Sequence, residues 1–165
     1  MNQLYAEAGV KRKDNGKTMG LRILLIVGIF IGVLLMLLGG FFGIAGVVLV
    51  VAMIYLFPKL NVEYEYVFVD GQLDFDRITG KARRKTMLRI DMEQVEIVAP
   101  QGSHALDSYN QMQLMNKDFS SYDKTVKPYV IIANVEDKKY RITFEPSEKM
   151  LSMMKQKSPR KISQY

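Results

Sequence analysis

Six basic residues, Arg77, Lys81, Arg83, Arg84, Lys85 and Arg89, fall close together with no acid between them. Their chemistry is anion binding. Near a negatively charged leaflet each such residue contributes about 1 kcal/mol, so the cluster is a candidate contact for anionic lipid headgroups. The plainer alternative is a charged turn that keeps a strand edge from pairing with other chains. Lys155, Lys157, Arg160 and Lys161 form a second basic group near the C-terminus, open to the same two readings. Basic charge is also the footprint of nucleic-acid binding. No helix-turn-helix, zinc or aromatic–basic motif accompanies it here, so no nucleic-acid partner is expected.

The residues that could do covalent or acid–base chemistry are few. His104 is the only histidine, with Ser103 and Asp107 near it in sequence. A catalytic triad depends on three-dimensional geometry that close neighbours in a loop seldom provide. The chain has no cysteine, which removes disulfides and thiolate metal sites. It has no phosphate-binding G-x-x-x-x-G-K-[ST] loop and no H-E-x-x-H pair. Asp70, Asp74 and Asp76 lack the spacing and closing glutamate of a calcium loop, and are read as solvent-facing strand and turn residues. No catalytic, metal or cofactor site is expected, and the chain is not read as an enzyme.

These residues must be placed by two kinds of element. From Leu21 to Phe57 the only charge is Arg22. As one helix that run would be roughly 55 Å long, against a hydrocarbon core of about 30 Å. Two spans fit better, about 21–38 and 42–57, turning at Gly39-Gly40, where glycine supplies positive φ. Pro58 stops the second span. Gly28 and Gly32 are a small-xxx-small pair, expected to pack one helix on another within the hairpin or between copies. Lys11, Arg12, Lys13, Lys17 and Arg22 precede the first span and Lys59 follows the second. By the positive-inside rule both ends face the cytoplasm, in the plasma membrane. The apolar run is too long for a cleaved signal peptide.

Residues 1–20 are read as a basic cytoplasmic segment and 59–165 as the folded domain. Val62, Tyr64, Tyr66 and Phe68 alternate as the inner face of a strand. Asp70-Gly71 predicts a hairpin turn. Further strands are predicted at about 72–78, 84–90, 94–99, 129–135 and 139–144. Residues 101–124 read as a long loop, with room for a short helix or weak strand. From Pro146 to about residue 157 a helix is expected, its stripe of Met150, Leu151, Met153 and Met154 packing on the sheet. Consecutive hairpins imply a mainly antiparallel sheet of about six strands, closed by this helix.

This order resembles the pleckstrin-homology-like (PH-like) domains of bacterial membrane proteins. The resemblance rests on Glu63–Val69, the Asp70-Gly71 turn and the segment Leu88–Ile97. The junction Phe144–Leu151 is similar to that of an uncharacterised Gram-positive two-pass membrane family, a domain of unknown function. It implies a membrane hairpin followed by a C-terminal curled sheet with a terminal helix, and no activity. In lipid-binding PH domains the basic site lies around the loop between the first two strands. That loop is read here as Val69-Asp70-Gly71-Gln72, tight and acidic, so the resemblance transfers no phosphoinositide site. The expected function is a membrane-anchored, non-catalytic module that binds anionic headgroups or a protein partner. The alternative is a small accessory subunit of a membrane complex, held by its hairpin.

Overall fold

A computed structural model describes residues 4–163. The chain opens with a strand, β1 (Tyr5–Lys11), before the two helices α1 (Gly16–Leu38) and α2 (Gly40–Leu56). A 3-10 turn at Phe57–Leu60 leads into β2 (Val62–Val69), β3 (Gln72–Thr79), β4 (Arg83–Asp91) and β5 (Val95–Pro100). A second 3-10 turn, His104–Tyr109, precedes β6 (Met115–Asp118), β7 (Tyr129–Val135) and β8 (Lys138–Phe144). Helix α3 (Glu148–Lys157) closes the domain.

Helix α1 starts where Asn15 accepts hydrogen bonds from the Thr18 N–H and hydroxyl, an N-cap that satisfies end donors. It ends at Gly39 and Gly40, with φ of 71° and 53°. Both helices are long and apolar enough to cross a membrane. Their large side chains, among them Ile23, Leu24, Phe30, Leu37, Phe42 and Val48, are exposed. Gly32 and Gly46 make the close approach between them: a Cβ at Gly46 would lie 2.5 Å from the Gly32 carbonyl. Gly28 faces Met53.

Two four-stranded sheets follow, ordered β1-β2-β3-β4 and β5-β7-β8-β6. Their inner faces supply the core: Tyr66, Phe68, Leu73, Phe75 and Ile90 from the first; Val95, Val98, Ile131, Ile142 and Phe144 from the second. Phe75 stacks on Phe119 and meets Tyr66 and Phe144 edge-on, geometries that aromatic quadrupoles favour. The Tyr66 hydroxyl donates to the Phe119 carbonyl at 2.5 Å in this core. Met150 and Met154, one turn apart on α3, are fully buried against it.

The fold class stands as two apolar helices and a β-rich domain ending in a helix, with changes in detail. Among the described residues there are eight strands in two sheets rather than about six in one. Strand β1 lies inside the segment read as a basic tail, pairing along its length from Tyr5↔Val69 to Lys11↔Glu63. The folded domain therefore begins before the helices, and the hairpin is the connection between β1 and β2. Consequently Val69–Gln72 joins the second and third strands, not the first two. Within 101–124 both a 3-10 turn and β6 form; β6 pairs with β8 in parallel. Asp76 is 7% exposed rather than solvent-facing, because Arg84 lies over it at 2.6 Å.

Candidate functional site: a basic cleft at the base of the hairpin

Odd-numbered residues of β3 face the core, where Leu73 and Phe75 are buried. The same alternation carries Arg77 and Thr79 onto that face farther along the strand. On β4, Lys85 stands opposite Arg77 and Arg83 opposite Thr79. A register shift between Phe75 and Asp76 lets Met87 bulge out, and a bulge of this kind re-aims neighbouring side chains. The inner face of the first sheet thus changes from apolar to basic toward the helices.

There it meets the end of α2 and the 3-10 turn. A cleft of about 940 Å³ opens between them, lined by Tyr55, Pro58, Lys59, Arg77, Arg83, Lys85 and Met87 among others. Arg77 and Lys59 also border a smaller cleft of about 330 Å³ on the side of α1, with Lys17, Thr18 and Leu21. No aspartate or glutamate lines either cleft. Lys59 Nζ sits 3.9 Å over the Tyr55 ring, a cation–π contact that steadies its ammonium. The buried Arg77 Nε has no hydrogen-bond partner, whereas buried donors are ordinarily satisfied. Like charges directly opposite in a sheet repel, as do Arg77 and Lys85. The arrangement can hold a multiply charged oxyanion.

The cluster found in sequence divides between two faces. Arg84 is held by Glu65 at 2.8 Å and Asp76 at 2.6 Å on the outer face. Arg89 makes a two-pronged contact with Asp74 at 2.8 and 2.7 Å, and its guanidinium holds the Asp74 carboxyl below the usual range. These acids lie on neighbouring strands, where sequence proximity does not show them. Arg77, Arg83 and Lys85 line the cleft, and Lys81 sits with positive φ in the β3–β4 turn beside it. Lys17 and Lys59 complete the basic rim; their signal in sequence is their place at the ends of the apolar run.

The cleft walls are fixed to one another. Arg22 forms an ion pair with Asp14 at 2.9 Å and donates to the Asn61 side-chain oxygen at 2.8 Å, bridging the two ends of the hairpin. Arg12 bonds the Tyr64 hydroxyl at 2.8 Å and the Asp118 carbonyl at 3.0 Å, and lies 4.0 Å from the Tyr122 ring centre. Lys13 pairs with Asp123, whose carboxyl is pulled down to about 2 by that ammonium and by hydrogen bonds from Thr125.

The remaining candidates have structural contacts. His104 is fully exposed, its Nδ1 3.0 Å from Asp107, while Ser103 Oγ accepts from the Ala105 N–H as a helix cap. Lys161 Nζ donates to the Met92 and Glu93 carbonyls at the β4–β5 turn. Asp70 accepts from the Leu4 N–H. Among the described residues no group of three or more histidine or acidic side chains is placed to hold a metal. Gly28 and Gly32 both face α2.

A family model described as Bacterial PH-like domain (DUF6106) matches residues 2–164. The match runs through the helices as well as the strands, so it covers the whole arrangement rather than a C-terminal part. No curated protein and no solved structure matches the chain.

Proposed function

The chain belongs to the bacterial PH-like domain family (DUF6106), and on that premise we propose that it is a membrane-anchored, non-catalytic module whose basic face engages anionic lipid headgroups at the cytoplasmic leaflet. The hairpin crosses the bilayer and turns outside it at Gly39-Gly40. Because Arg12, Lys13 and Arg22 tie the hairpin to the β domain, the domain does not swing on a linker. Its basic end is held at headgroup level, where each cation gains about 1 kcal/mol from a negative surface. One observation carries this reading: Arg77, Arg83, Lys85 and Lys59 line a cleft without an acid, at the end of the domain from which the helices leave.

The test uses the full chain in nanodiscs, since a fragment starting at residue 59 would lack β1. Amide hydrogen exchange is followed in the β3–β4 turn with neutral lipid and with anionic phospholipid. The turn is expected to be protected by anionic lipid at low salt, and the protection to fade as salt screens the charges. Substituting Lys81, Arg83 and Lys85 by Ala should abolish the difference. Equal exchange in both lipids at low salt sinks the proposal.

A further inference from the structure

Resting on that reading, the geometry points to a narrower ligand: the cleft holds one lipid whose headgroup carries two phosphates, rather than a shifting layer of singly charged headgroups. Three observations lead there. First, four cations line the cleft: Lys59, Arg77, Arg83 and Lys85. Arg84 also touches it, but its guanidinium is already held by Glu65 and Asp76 on the other face. A single phosphodiester, with one negative charge, would leave most of this charge uncompensated. Two phosphates come closer to matching it.

Second, the cations are arranged at a cost. Arg77 and Lys85 are direct partners in the β3–β4 register, a like-charge pairing that weakens the sheet. Arg77 Nε is buried without a partner. A phosphate seated in the cleft, over the two strands, would relieve the repulsion. Arginine's planar fork suits phosphate geometry, and charge-assisted bonds of this kind are the strong ones.

Third, the cleft is largely apolar, and part of its apolar surface comes from the end of the hairpin. Tyr55 and Pro58 line it from the membrane side, with Met87 and Ala82 opposite. Tyr55 is 63% exposed and lies near the end of a helix whose outer surface is apolar. An acyl or prenyl chain can run from the cleft along α2 into the bilayer. This continuity favours a lipid-borne diphosphate, or paired phosphodiesters, over a soluble one. The cleft volume lies in the range usual for small-molecule sites.

The experiment titrates the full chain, in nanodiscs of neutral lipid, with three probes. These are cardiolipin (two phosphodiesters), phosphatidylglycerol (one) at matched total charge, and soluble pyrophosphate. The readout is the melting temperature as a function of probe concentration, since a ligand that binds only the folded state raises it. Cardiolipin is expected to give an apparent affinity about tenfold or more above that of phosphatidylglycerol. Arg77→Gln and Arg83→Gln should each reduce the cardiolipin affinity by roughly tenfold. Lys85→Thr should also lose affinity, yet leave the lipid-free protein at least as stable, because it removes the repulsion with Arg77. That variant separates lost binding from lost folding.

Equal response to the two lipids at matched charge overturns the two-phosphate site and leaves the simpler electrostatic reading standing. No response to either lipid overturns both. A pyrophosphate response equal to that of cardiolipin overturns the assignment to a lipid.

Discussion

A close approach couples Glu7 on β1 to Glu65 on β2 at the outer face of the first sheet. It holds the Glu65 carboxyl above its usual range and the Glu7 carboxyl below it. Arg84 serves Glu65 and Asp76 together, so three carboxylates lean on one guanidinium. The two glutamates titrate as a unit. The raised Glu65 contributes stability that is present in acid and is lost as pH rises through its folded value. Glu7→Gln keeps a hydrogen-bonding group and removes one negative charge. It is expected to raise the melting temperature at neutral pH, with the gain narrowing as pH falls into the carboxylate range. A melting series across pH checks this, and a lower melting temperature at neutral pH would show that Arg84 already balances the pair. At this scale the cations are evident in the sequence but their partners are not. Whether an arginine is free depends on which acids the register sets beside it: Asp74 and Asp76 come from β3, Glu65 from β2.

Among elements, the long apolar and alternating segments were legible and the weak ones were not. Strands β2 and β7 declare themselves through Val, Tyr, Phe and Ile at alternate or successive positions, and α3 through Met150 and Met154. Strand β1 presents only Ala6, Ala8 and Val10 to the core. Such small residues give a faint alternation, and the strand is fixed by the partner it finds in β2 rather than by its own propensity. Strand β6, Met-Asn-Lys-Asp, is polar because it lies at a sheet edge. The importance of β1 can be tested at Ala6, which is fully buried opposite Phe68. Ala6→Asp would bury an unpaired charge and is expected to cost about 3 kcal/mol or more. If residues 1–20 were only a solvated tail, the cost would fall within about 0.5 kcal/mol. Denaturant unfolding of the full chain in micelles decides between the two values.

At the scale of the whole molecule, topology constrains how the chain meets the membrane. Strand β1 precedes the helices and β2 follows them, yet the two pair from end to end. A sheet cannot be divided by a bilayer, so the chain between Lys11 and Val62 must leave and return on one side. Helices α1 and α2 therefore make an even number of crossings, whatever the charges at their ends. On the proposed reading the basic flanks then choose the cytoplasmic side, through the excess of Lys and Arg around the domain end. Because the chain has no cysteine, an introduced thiol is its only one. Phe41→Cys places it at the turn, on a side chain that is 80% exposed; Lys138→Cys places it on the β7–β8 hairpin, far from the helices in sequence. A membrane-impermeant maleimide added to intact cells should label the first and spare the second until the membrane is opened. The reverse pattern would put the domain outside and remove the anionic inner leaflet from its reach. Labelling of both from outside would mean the hairpin lies on the surface without crossing, and the basic cleft would then face headgroups of the outer leaflet.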